Sequence, residues 1–148
     1  MADIFVSYDS ADRPMAELSA RGLGTAGFSV WWDRDIRGGA RFGDEIDRQI
    51  TAARVAIVLW SKASVVSDWV RDEASTARDE NTLIPVRIEA VQPPLGFRQL
   101  HALDLDGWKG DPNAPAFAKI LTSIRDHIGN ALPEASGPTD AGVQGKPR

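Results

Sequence analysis

Short apolar runs alternate with amphipathic stretches along most of this chain, and that alternation restricts its fold more than any other feature. The runs are Ile4–Val6, Phe28–Trp32, Val55–Trp60, Leu83–Ile88 and a weaker Ala102–Leu105. The second and third are near-continuously apolar, the pattern of parallel strands covered on both faces. Pro85 has no N–H to give to a ladder, so the fourth run is expected to meet a bulge or an edge there.

The segments between these runs read as helices. Residues 11–26 place Met15, Leu18 and Gly22 on one face, with Pro14 in the tolerated first turn and Gly27 as a stop. Phe42, Ile46 and Ile50 recur at a spacing of four, behind Asp44 and Glu45, which suit the positive end of a helix. Ser67 is a suitable N-cap for a helix over 68–80. Phe117, Ile120, Leu121, Ile124 and Ile128 draw an amphipathic stripe that ends at Gly129. Residues 89–101, with Pro93, Pro94 and Gly96, read as a long loop.

Strand–helix alternation at this size predicts an α/β fold, a five-stranded doubly wound parallel sheet in order 2-1-3-4-5 with helices on both faces. Ligands of such sheets bind beyond the carboxyl ends of the strands, where the order reverses between strands 1 and 3. That places a site at Ser7, Tyr8 and Asp9, at the segment after Trp32, and at Trp60, Ser61 and Lys62. We expect the folded unit over residues 1–129. Residues 130–148 are rich in Pro, Gly and Ala without an aromatic, and read as a disordered tail or a truncated linker.

Composition removes several functions. The chain has 148 residues and no cysteine, which excludes a disulfide scaffold, thiolate metal sites and a thiol nucleophile. Its two histidines, His101 and His127, leave no histidine metal cluster and lie near no hydroxyl nucleophile in the expected fold. A net charge of −4 argues against a nucleic-acid binder. No membrane span or secretory leader is visible, so the expected location is cytoplasmic.

Two phosphate motifs also fail. Gly22–Leu23–Gly24–Thr25–Ala26–Gly27 matches G-x-G-x-x-G, but it closes a helix and precedes a strand, the reverse of what a dinucleotide fingerprint requires. Helix–sheet packing and a helix stop account for it. A phosphoacceptor receiver would need an acidic pair after strand 1 and an Asp ending strand 3, where this chain has Ser7, Tyr8 and a lone Asp9, then Trp60 and Ser61. Asp33, Asp35, Asp44 and Glu45 are interleaved with Arg34, Arg37 and Arg41, which marks a solvated loop rather than a metal site. No cofactor or metal is expected.

What remains is Trp69 and Glu73, four residues apart on one helix face. Glu73 lies in the second turn after Ser67, where the helix field favours an ionised carboxyl. A carboxylate beside an aromatic plate suits a flat cationic heterocycle attached to a sugar.

Three blocks in order, Asp3–Tyr8, Gly27–Asp33 with a glycine-bearing loop to Phe42, and Ser67–Glu73, resemble the Toll/interleukin-1 receptor (TIR) domain family. Pro93–Gln99 brings the resemblance nearest to its bacterial branch. It extends over about residues 3–129 and implies a flavodoxin-like fold. It also implies cleavage of NAD⁺ at the nicotinamide–ribose bond, giving nicotinamide and ADP-ribose or a cyclic form. The family's W-x-x-x-E motif falls on Trp69 and Glu73, which makes Glu73 the catalytic carboxylate. Other members are non-catalytic adaptors that bind further TIR domains, and Asp33–Phe42 corresponds to the loop that gates the site and mediates self-association. Intact Glu73, Trp69, Tyr8 and Asp33 favour the enzyme over the adaptor, since an adaptor has no need of that carboxylate.

On this reading Ser7, Tyr8, Asp33, Arg34, Ser61 and Trp69 are candidate substrate contacts. The five tryptophans then acquire positions. Trp31 and Trp32 end strand 2 facing opposite ways, and Trp60 ends strand 3. With Trp69 they gather at the carboxyl edge as a rim, while Trp108 is left for a surface that contacts a neighbour.

Overall fold

A computed structural model of the chain describes residues 3–32 and 42–131. Its strands are β1 (Ile4–Ser7), β2 (Val30–Trp31), β3 (Val55–Trp60), β4 (Leu83–Arg87) and β5 (Leu103–Asp104). Its helices are α1 (Arg13–Thr25), α2 (Phe42–Ala52), α3 (Asp68–Asp79) and α4 (Pro115–Ala131), and short 3₁₀ turns at Ser10–Asp12 and Ser64–Val66 precede α1 and α3. The five strands are all parallel, in the order β2-β1-β3-β4-β5. This is the flavodoxin-like arrangement expected from the alternation, with its reversal between β1 and β3.

Strand alternation divides the core in two. Ile4 and Val6 of β1 and Val55, Ile57 and Leu59 of β3 pack with Leu23 of α1 and Phe117, Ile120 and Ile124 of α4. The residues between them turn to the other face, where Phe5 and Ala56 meet Ile46 and Ile50 of α2 and Ala77 of α3. On that second face Val58 and Trp60 continue the layer against Val70, Ala74 and Phe97.

Local chemistry sets the element ends. Asp9 accepts from the Ala11 N–H at 2.9 Å, so the chain makes a 3₁₀ turn before the α-helix that Pro14 enters. Gly27, at φ 102°, turns the chain out of α1 in a region closed to most side chains. The Ser67 hydroxyl accepts from the Val70 N–H at 3.2 Å, the N-cap expected for α3. Asn81 ends that connection at φ 62°.

Pro85 is accommodated in a penultimate strand. Ile88 N–H donates to Trp60 on the β3 side, whereas Arg87 C=O accepts from Leu105 on the other. Position 85 shares the orientation of position 87, toward β5, and β5 pairs only with Val86 and Arg87. The missing donor thus falls at a local edge. Strand β2, expected over 28–32, is reduced to two half-buried residues because only β1 supports it.

Two readings of the tryptophans require correction. Trp108 is not at a neighbour-contacting surface: it is 7% exposed, stacks on Phe117 at 4.8 Å and donates its indole N–H to Asp111 C=O at 2.8 Å. Trp60 forms no rim, since it is fully buried with its ring 5.4 Å from that of Phe97. Trp31 and Trp32 do turn to opposite faces, Trp31 onto Phe5 at 5.2 Å and Trp32 toward Tyr8 at 6.4 Å. The helix α4 runs to Ala131, so the rest of the expected tail lies outside the described residues. Among the described residues, no helix is long and apolar enough to cross a membrane.

Candidate functional site

Ser7 is the last residue of β1, two positions beyond Phe5 and therefore on the α2–α3 face. Its hydroxyl donates to Glu73 Oε1 at 2.6 Å, and neither residue is exposed beyond 6%. A hydroxyl given to a carboxylate in a dry setting is a charge-assisted bond, shorter and stronger than a neutral one. It spans 66 positions of sequence and ties the open end of β1 to the second turn of α3.

Glu73 also borders a cavity of about 220 Å³ between α2 and α3. Ile46, Asp47 and Ile50 line it from α2, and Trp69, Asp72, Glu73 and Thr76 from α3. Trp69 is 41% exposed, so its ring forms part of the cavity wall and part of the outer surface. An aromatic plate with three carboxylates in one cleft has the electrostatics to receive a flat cation.

The remaining predicted residues are placed elsewhere. Tyr8 follows Ser7 but turns to the α1–α4 core, 5% exposed, where its hydroxyl accepts from Arg13 at 3.5 Å. Arg13 in turn lies 5.1 Å above the Trp32 ring. Ser61 is fully buried; its hydroxyl donates to Asp12 and accepts from the Ser64 N–H at 3.0 Å. It joins the turn after β1 to the turn after β3 across the switch point. The structure thus unites Ser7, Trp69 and Glu73 and sets Tyr8 and Ser61 in the framework around them. Asp33 and Arg34, with most of the Asp33–Phe42 loop and Asp35, Arg37 and Arg41, lie outside the described residues.

Sequence reasoning missed Asp47, Asp72 and Thr76. The signal was present, because 69, 72, 73 and 76 are the i, i+3, i+4 and i+7 positions of one helix face. Asp12 was missed as well. Burial raises its pKa above the ordinary 3.8; the Ser61 hydrogen bond opposes the rise, and the charges of Glu89 and Asp9 add to it. Among the described residues no cluster of His, Asp and Glu is arranged to hold a metal. His101 is exposed and His127 half-buried.

A flavodoxin-like α/β domain with a buried carboxylate held at its strand-switch crevice is the class that fold and site define. The family model of the TIR domain matches residues 4–121, and the chain belongs to that family. No match was found among curated proteins. Among solved structures, the TIR domain of the Toll-related receptor TRR-2 from Hydra magnipapillata is similar over 84% of this chain and 99% of its own, at 20% identity and TM-score 0.72. A metazoan TIR-STING receptor from C. gigas, in complex with 2',3'-cGAMP, is similar over 84% of this chain at 24% identity and TM-score 0.68, and this chain spans 39% of it. The TIR domains of the activated Roq1 resistosome, which recognises the pathogen effector XopQ, match over 84% of this chain and 99% of theirs, at 18% identity and TM-score 0.59. At these identities the likenesses show the fold.

Proposed function

We propose that this TIR domain is an NAD⁺ glycohydrolase of the bacterial branch that cleaves the nicotinamide–ribose bond and serves signalling or immune defence. The observation that carries the reading is the buried Glu73 carboxylate, fixed by Ser7 and bordering the Trp69 cleft.

The chemistry needs little else. Ordinary glycoside hydrolysis uses two carboxyl groups, one of which protonates a poor leaving group. Nicotinamide departs from a pyridinium as a neutral molecule, so no general acid is required. The C–N bond electrons leave with the ring nitrogen, and positive charge develops at the ribose carbon. Glu73 stabilises that charge and orients the ribose hydroxyls, while water or an internal nucleophile completes ADP-ribose or its cyclic form. In this role Ser7 is a positioning residue, holding one carboxylate oxygen so that the other is directed to substrate. Trp69 receives the flat ring on the cleft side.

Loss of a preorganised electrostatic group typically costs on the order of 10²–10³ in rate. Glu73→Gln keeps the shape and is therefore the informative substitution. Nicotinamide release from NAD⁺ by the purified protein, reduced by that factor in Glu73→Gln, is the expected result; equal rates in the two proteins would remove Glu73 from the mechanism.

Self-assembly through the Asp33–Phe42 loop is part of the proposal. A crevice at the open end of a sheet admits water until a neighbouring element covers it. The Roq1 TIR domains, seen within an activated resistosome, support assembly as a property of this fold. Release per chain should then rise steeply with protein concentration. The second reading, a non-catalytic adaptor for other TIR domains, is favoured by the receptor context of the Hydra domain. It predicts partner binding without nicotinamide release at any concentration.

A further inference from the structure

A second cleft, of about 450 Å³, opens at the carboxyl end of β4 and beside β5. Parallel strands lie about 4.8 Å apart, so it is roughly 10 Å along the sheet from β1, where Ser7 holds Glu73. The charged residues of its lining are Arg87 and Arg98, beside Gln92, Gln99 and His101. That is notable in a chain of net charge −4.

One guanidinium group is held in place and the other carries an unmet donor. Arg98 donates its Nε–H to Pro93 C=O at 2.9 Å, which fixes the plane of its fork. Arg87 projects from β4, and its buried Nε–H has no acceptor among the described residues. Among the described residues its carboxylate neighbour is Asp104, at 3.8 Å, and the other oxygen of Asp104 accepts from the Asp106 N–H at 2.9 Å. Buried donors are ordinarily satisfied, and leaving one unpaired is costly. Two guanidinium groups lining one cleft supply the positive charge and the paired donors by which a phosphate group is bound.

We propose that this cleft binds a phosphate-bearing small molecule through Arg87 and Arg98, separately from the Glu73 crevice. The shared chemistry is a phosphate anion, which either a free diphosphate or a nucleotide monophosphate presents.

Calorimetric titration with inorganic pyrophosphate, and in parallel with AMP, tests the proposal on the intact chain. Saturable binding of one equivalent is expected, weakened at least about tenfold by Arg98→Gln, the usual cost of losing a charge-assisted partner. Arg98 is exposed, so an unchanged thermal melt is expected in that variant; Arg87→Gln should weaken binding comparably. Tighter binding of AMP than of pyrophosphate identifies the nucleotide as the source, and the reverse order identifies the free diphosphate. Glu73→Gln should leave the affinity unchanged, which separates this cleft from the NAD⁺ reading. The proposal is overturned by absence of saturable binding to both probes, by parental affinity in both arginine variants, or by loss of binding in Glu73→Gln.

Discussion

Replacing Ser7 by alanine removes a single oxygen from the interior, and its consequences can be worked through from the geometry. Ser7 is fully buried and donates to Glu73 Oε1 at 2.6 Å. Hydrogen bonds to charged groups contribute about 1.5–3 kcal/mol, and each 1.4 kcal/mol corresponds to about tenfold in an equilibrium or rate. The vacated volume is small, so the cavity contribution is minor. Glu73 has further interactions, which places the expected effect near the lower bound. We therefore expect kcat for nicotinamide release to fall about 10–30-fold with KM little changed, because Ser7 acts through the carboxylate. Ser7→Thr retains a hydroxyl and should recover most of the loss. The assay is nicotinamide release at saturating NAD⁺, run beside a thermal melt. A Ser7→Ala protein that melts lower but turns over at the parental rate would refute the positioning role, because the bond would then serve stability alone.

Trp69→Ala should act mainly on KM, raising it about tenfold through loss of an aromatic contact, while stability changes by about 1 kcal/mol or less because the ring is 41% exposed; steady-state kinetics with a urea melt checks both. Two glycines of α1 should respond in opposite directions to alanine. At Gly22 an added Cβ would stand 2.7 Å from Phe117 Cζ, and that ring is held by its stack on Trp108, so a net loss of about 1 kcal/mol is expected. At Gly24 nothing lies within 4 Å, so Gly24→Ala should gain roughly 0.5–1 kcal/mol, and denaturant melts of the pair test this contrast. Asp12 supplies a pH prediction. Its folded pKa lies above the ordinary 3.8, so the folded state binds the proton more tightly and this group's contribution to stability declines as pH rises through the interval between the two values. Asp12→Asn retains an acceptor for Ser61 and removes that decline, so its stability at pH 7 relative to pH 4 should exceed the parent's; superimposable pH profiles would contradict the assignment.

The strands were legible as apolar runs, their order followed as the common one for a five-stranded doubly wound sheet, and α3 was legible from Ser67 and its spacing. Glu73 and Trp69 were legible as neighbours on one face of that helix, and the role proposed for Glu73 came from the family resemblance. The Ser7 contact was not, because it joins positions 66 apart through the pairing of β1 with its neighbours, which no local pattern encodes. The misplacement of Trp60 and Trp108 has the same origin. Position along a strand shows which end a side chain occupies, but not whether a loop such as the one carrying Phe97, or a ring such as Phe117, closes over it. Tyr8 illustrates the alternation rule, since adjacency to Ser7 in sequence places it on the opposite face.

The activity proposed for this TIR domain rests on one buried carboxylate, that of Glu73. Its most direct test is incubation of the concentrated purified chain with NAD⁺, beside Glu73→Gln, with nicotinamide and ADP-ribose products resolved by mass. Nicotinamide release is expected to rise more than linearly with protein concentration and to fall on the order of 10²–10³-fold in Glu73→Gln. Folded protein that releases no nicotinamide at any concentration, or a Glu73→Gln variant as active as the parent, would contradict it.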